Sequence, residues 1–186
     1  MLPPALLLWL NFADNVGSLL ILVPIMVMAA GQLSGGLAWL AISGEDAPEL
    51  IASAPVSAGA IVAAKIEAVL GTVALIFAPL LMGLVLAAPK LAMVAALGIV
   101  VSALSATMIQ IWFRAQAKRS RFRSRQTSSR VATFAEAFSS IFWAGTAALA
   151  AMETWLAAGA AVFAVITLVC AWAMSPSRSM AHYMEP

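Results

Sequence analysis

The chain has 186 residues, of which 63% are hydrophobic and 10% charged, with a formal net charge of +2 and a mean hydropathy of +1.01. A soluble domain of this length needs a charged surface that such a composition cannot supply, so an integral membrane protein is expected. One cysteine, Cys170, and one histidine, His182, exclude an internal disulfide and a Cys/His metal site, and no phosphate-loop, GxSxG or HExxH motif occurs.

Residues 1–13, MLPPALLLWLNFA, are apolar but too short to cross a bilayer, and no cation precedes them as in a signal peptide. They read as an interfacial segment or as the remnant of a further helix. Five spans follow, at about Val16 to Ser43, Ala60 to Ala87, Leu91 to Phe113, Val131 to Met152 and Thr154 to Met174. Each is long enough to cross a hydrocarbon core of roughly 30 Å as a helix. Lipid cannot satisfy backbone polar groups and nothing alternates as barrel strands do, so helices are expected throughout. The expected fold is an all-α integral membrane protein, one transmembrane domain over residues 1–186, with five spans and a short amphipathic helix.

Within the first span Gly31 and Gly35, continued by Gly36, form a small-xxx-small pattern that favours close helix packing over a ligand role. Pro24 and Pro79 are expected to kink the first and second spans. Two carboxylates, Glu67 and Glu136, lie within or near spans, where burial is costly and often functional. Both are expected to be interfacial or paired with a neighbouring helix.

Between the first two spans lies GEDAPELIASAPVS, residues 44–57, with Glu45, Asp46 and Glu49 and no cation. Pro48 suits the first turn of a helix capped by Asp46 or Ala47, and the carboxylates then sit at the positive end of the dipole. Leu50, Ile51 and Ala54 fall on one face. Pro55 closes the element, and Ser57 can cap the second span.

The connection over residues 114–130 carries Arg114, Lys118, Arg119, Arg121, Arg123, Arg125 and Arg130. The positive-inside rule places it in the cytoplasm, beside anionic lipid headgroups. A single phenylalanine and no stacking platform argue against nucleic acid. Ser128 or Ser129 is expected to cap the fourth span. Counting spans outward, residues 44–57 and the tail at 175–186 also face the cytoplasm, which leaves Lys90 as the one basic residue outside.

The stretch ELIASAPVSAGAIVAAK resembles the cytoplasmic segment of permease subunits in the type-2 ATP-binding-cassette exporter family. That segment has the form E-L-L-L-S-T-P-V-S followed by an isoleucine and a lysine. Glu49, Leu50, Ser53, Pro55, Val56 and Ser57 match in register, followed by Ile61 and Lys65. The Gly-Thr that often precedes the family's glutamate is replaced by Ala47-Pro48. The resemblance implies a coupling helix docked on a separate ATPase subunit, with Glu45, Asp46, Glu49, Leu50, Ile51, Ser53, Pro55, Val56, Ser57 and Lys65 as the coupling residues. It implies that the five spans correspond to the second to sixth of six. ATP and magnesium would be bound by the partner, so this chain is expected to carry no cofactor, metal or catalytic residue of its own. A second permease copy, or a homologous permease, would complete the pathway in a bacterial inner membrane, with the C-terminus cytoplasmic.

Two other readings stand beside this one. An ion-coupled carrier would use Glu67 and Glu136 and need no ATPase. A membrane scaffold would transport nothing and hold a partner or lipid through its basic connection.

Overall fold

The computed structural model describes residues 16–43, 57–113 and 130–175. These form five helices: α1 (Val16–Ser43), α2 (Ala58–Ala87), α3 (Pro89–Trp112), α4 (Arg130–Ala151) and α5 (Leu156–Ala173). All five are long and apolar enough to cross a membrane. The chain is an all-α integral membrane protein. The short helix expected within residues 44–56 lies outside the described residues, as do the expected caps Ser128 and Ser129.

The corners follow from local chemistry. Ser57 is extended (φ −67°, ψ 144°) and its Oγ accepts from the Ala60 amide at 3.2 Å, so it caps α2 as expected. At the other end of α2, Ala88 leaves the helical region (φ −154°, ψ 83°), as the residue before a proline tends to do. Pro89 then opens α3 at N1, so a single residue separates two spans. The third span therefore begins slightly earlier than expected. After α4, the Glu153 amide donates to the Ala150 carbonyl at 3.0 Å and the Thr154 amide to the Leu149 carbonyl at 3.1 Å. These are the two bonds of a Schellman stop, and Glu153 holds the left-handed position at φ 54°. That stop delays the fifth helix to Leu156. Pro24 and Pro79 sit inside α1 and α2 without ending either helix.

Three helices make the centre. α1, α3 and α4 pack against one another, α2 flanks α1 and α3, and α5 lies mainly along α4. Half of the apolar window of α1 and of α3 is buried, against 11% for α5, which separates central from peripheral spans. The core is built from Val23, Val27 and Ala30 of α1, Ala95 and Ala103 of α3, and Ala147 of α4, closed on one side by Val73 and Leu84 of α2. Leu75, Leu86, Phe134 and Ile21 point outward and are exposed. An apolar belt of this kind is at rest only against lipid.

The antiparallel order sends the ends of α1 and α3 and the starts of α2 and α4 to one end of the bundle, here the connection end. The α2–α3 and α4–α5 corners meet at the other, here the turn end. There Lys90 Nζ and Glu153 Oε1 pair across the two corners at 3.2 Å.

Candidate functional site: a buried polar seam

Small or polar residues recur every fourth position on the three central helices: Gly31 and Gly35 on α1, Gly98, Ser102 and Ala106 on α3, and the carboxylate Glu136 followed by the small Ser140 and Ala144 on α4. Positions four apart lie one above another on a helix face. The three stripes therefore meet as a seam in which the backbones approach closely. A Cβ added at Gly98 would lie 2.6 Å from Val27 Cγ2. At Gly31 it would fall on Ser102 Oγ and lie 2.8 Å from Ser140 Cβ, and at Gly35 it would fall on the carboxylate of Glu136. The packing role expected of Gly31 and Gly35 is what these contacts describe. Gly36 does not continue the pattern, because a Cβ there meets nothing within 4 Å. It sits on the next position around the helix and is exposed.

Toward the connection end the seam becomes polar. Glu136 is 8% exposed and lies about 9 Å into α4, six residues from its start. Gln110 Nε2 of α3 donates to its Oε2 at 2.6 Å, and Gly35 of α1 lies against Oε1. One turn deeper, Gln32 Nε2 donates to Ser140 Oγ at 2.6 Å, and Ser140 Oγ donates to the Ala137 carbonyl at 3.0 Å. Deeper again, Trp143 Nε1 donates to Ser105 Oγ at 2.9 Å. The buried hydroxyls of Ser102 and Ser139 find no hydrogen-bond partner among the described residues. Ser34 and Thr107 turn inward to their own helices, donating to the carbonyls of Ala30 and Ala103.

The two intramembrane carboxylates are not brought together. Glu136 pairs with a neighbouring helix, whereas Glu67 is exposed on α2. Of the expected coupling residues, Ser57 caps α2 and Lys65 is half-buried two turns on. Glu45, Asp46, Glu49, Leu50, Ile51, Ser53, Pro55 and Val56 lie outside the described residues. So do Arg114, Lys118, Arg119, Arg121, Arg123 and Arg125, while Arg130 opens α4. Among the described residues, no three His, Cys, Asp or Glu side chains gather as a metal ion requires.

Chemically, the seam is a fastening. Interhelical hydrogen bonds in membranes contribute about 0.6 kcal/mol on average and up to about 2 kcal/mol. An isolated carboxylate in hydrocarbon costs more than that, so Glu136 depends on Gln110 and on its burial between helices. α1, α3 and α4 are thereby joined near the end where both long connections emerge. Gln110, Gln32, Ser102, Ser105, Ser139 and Ser140 were not foreseen as members of this site. The four-residue repeat of small and polar residues inside apolar runs is the signal that marks them.

No family model matches the chain, and no curated protein and no solved structure matches it significantly.

Proposed function

We propose that the chain is the membrane permease of an ATP-binding-cassette transporter, driven by ATP hydrolysis on a separate cytoplasmic subunit. The observation that carries this reading is the register from Glu49 to Lys65. It runs through Ser57, where a formed cap opens α2, and into the first three turns of α2, which contain no buried described residue before Val69. At 1.5 Å per residue those turns cover about 16 Å. They supply a stiff stalk joining an acidic segment to the bundle.

The seam supports the same reading. Residues 44–56 follow α1 directly, and α1 is fastened to α3 and α4 through Gly31, Gly35, Gln110 and Glu136. A displacement imposed on that segment would move the connection end of three helices together. Closure of two ATPases would then rock two such bundles and open a pathway between two permease copies. Residues 114–129, rich in arginine, link the α3 and α4 ends that lie at this same end, and the positive-inside rule supports a cytoplasmic side for it, against the anionic headgroups of a bacterial inner membrane. Export is the direction that the family resemblance implies.

Co-purification with candidate ATPases tests the proposal. Glu49→Lys combined with Leu50→Asp should abolish association while leaving folding intact. Association unchanged by the double variant would remove the reading.

One observation favours a second reading, an ion-coupled carrier. Glu136 is a buried carboxylate in a polar seam, held by a hydrogen bond from Gln110. Transport driven by an ion gradient without nucleotide, and lost in Glu136→Gln, would support it. Transport that survives Glu136→Gln would not.

A further inference from the structure

At the turn end a cleft of about 460 Å³ opens between α1, the α2–α3 corner and the end of α4. Its lining is almost wholly apolar and includes Leu20, Leu91 and Val94, and the largely exposed Lys90 and Glu153 complete its edge. The volume lies within the roughly 300–1,000 Å³ of sites that hold small ligands.

Three features say what chemistry fits there. The first is level. Trp155, two residues after Glu153, is 85% exposed, and exposed tryptophans mark the headgroup boundary of a bilayer. The cleft therefore spans the upper acyl region, with its rim among headgroups. The second is charge. Lys90 Nζ and Glu153 Oε1 are 3.2 Å apart on a rim where both side chains are largely solvent-accessible. An ion pair so exposed is weak and can exchange partners readily. The third is the order of the groups. A cation and an anion side by side above an apolar trough are complementary to a lipid that carries an anion and a cation above a hydrocarbon chain.

We propose that this cleft binds one zwitterionic phospholipid. Its phosphate would lie against Lys90, its ammonium against Glu153, and one acyl chain among Leu20, Leu91 and Val94. The lipid would replace the direct ion pair with two charge-assisted contacts and cover apolar surface that connects three elements. The inference is independent of the proposed transport function, since it concerns the end of the bundle away from the coupling segment.

Lipid retention by the full chain tests it. The protein is exchanged into mild detergent with equal amounts of phosphatidylethanolamine and phosphatidylglycerol, and bound lipid is counted by native mass spectrometry. Wild type should retain one phosphatidylethanolamine per chain, preferred over phosphatidylglycerol by about five-fold, the effect of one favourable surface charge. Glu153→Gln, a substitution at an exposed position, should abolish that preference. Val94→Trp should fill the trough and abolish retention while helicity is unchanged. Equal retention of both lipids by wild type, a preference that survives Glu153→Gln, or detergent alone in the spectrum would each overturn the proposal.

Discussion

Gly35→Ala is the sharpest test of the seam. The new methyl would fall on Oε1 and Cδ of Glu136 and lie 2.7 Å from Oε2. Either the helices separate or the carboxylate swings away from Gln110. Overpacking a well-fitted interior costs about 1–3 kcal/mol. Losing the 2.6 Å bond from Gln110 adds about 0.6–2 kcal/mol in a membrane. The better helix propensity of alanine returns about 1 kcal/mol. The net expectation is a loss of about 2 kcal/mol, or roughly 30-fold in the folding equilibrium. Gly36→Ala is an internal control, because its methyl touches nothing and should leave stability unchanged or raise it by up to about 1 kcal/mol. Reversible unfolding from mild detergent into sodium dodecyl sulfate measures both. In a Glu136→Ala background the methyl at 35 has room, so the cost of Gly35→Ala should vanish and the cycle should show a coupling above about 1 kcal/mol. Equal costs in the two backgrounds, or equal costs at positions 35 and 36, would refute the seam.

Three further outcomes are expected from the same unfolding assay. Ser102→Ala and Ser139→Ala each remove a buried hydroxyl without a partner among the described residues, and both should be neutral or stabilising by up to about 1 kcal/mol, whereas Ser105→Ala should be destabilising because it strands the Trp143 indole N–H. Glu153→Gly relieves a left-handed residue at a gain of about 1 kcal/mol and loses an exposed ion pair of at most about that size, so it should be near neutral, while Glu153→Val should be destabilising. Ser57→Ala should cost about 0.5–2 kcal/mol through loss of the α2 cap and should increase amide exchange over residues 58–61.

The sequence marked the spans to within a few residues because lipid leaves the backbone few options and the polar breaks are sharp. Ser57 as a cap and Gly31–Gly35 as a contact were legible for the same reason, since each is a local rule. Which helix meets which was not legible. Helices apolar all round carry no stripe that separates a lipid-facing side from a core side, so the exposed Leu75 and the buried Val73 look alike in sequence. The partner of Glu136 is Gln110, 26 residues away across the basic connection, and its other neighbour is Gly35 on the first helix. Periodicity places each residue on a face but does not say what that face touches. Gly36 shows the converse, since a short motif extended by one position runs off the contact. Glu153 was unreadable as a helix stop because glycine or asparagine normally takes that left-handed site.

The proposed function requires the acidic segment between α1 and α2 to meet an ATPase. A photo-crosslinking residue placed at Leu50 in the intact membrane tests it most directly, with the same residue at the exposed position Leu75 as the comparison. Position 50 should capture a nucleotide-binding subunit, nucleotide should change the yield, and position 75 should capture only lipid. Capture of no nucleotide-binding protein at position 50, or equal capture at both positions, would contradict it.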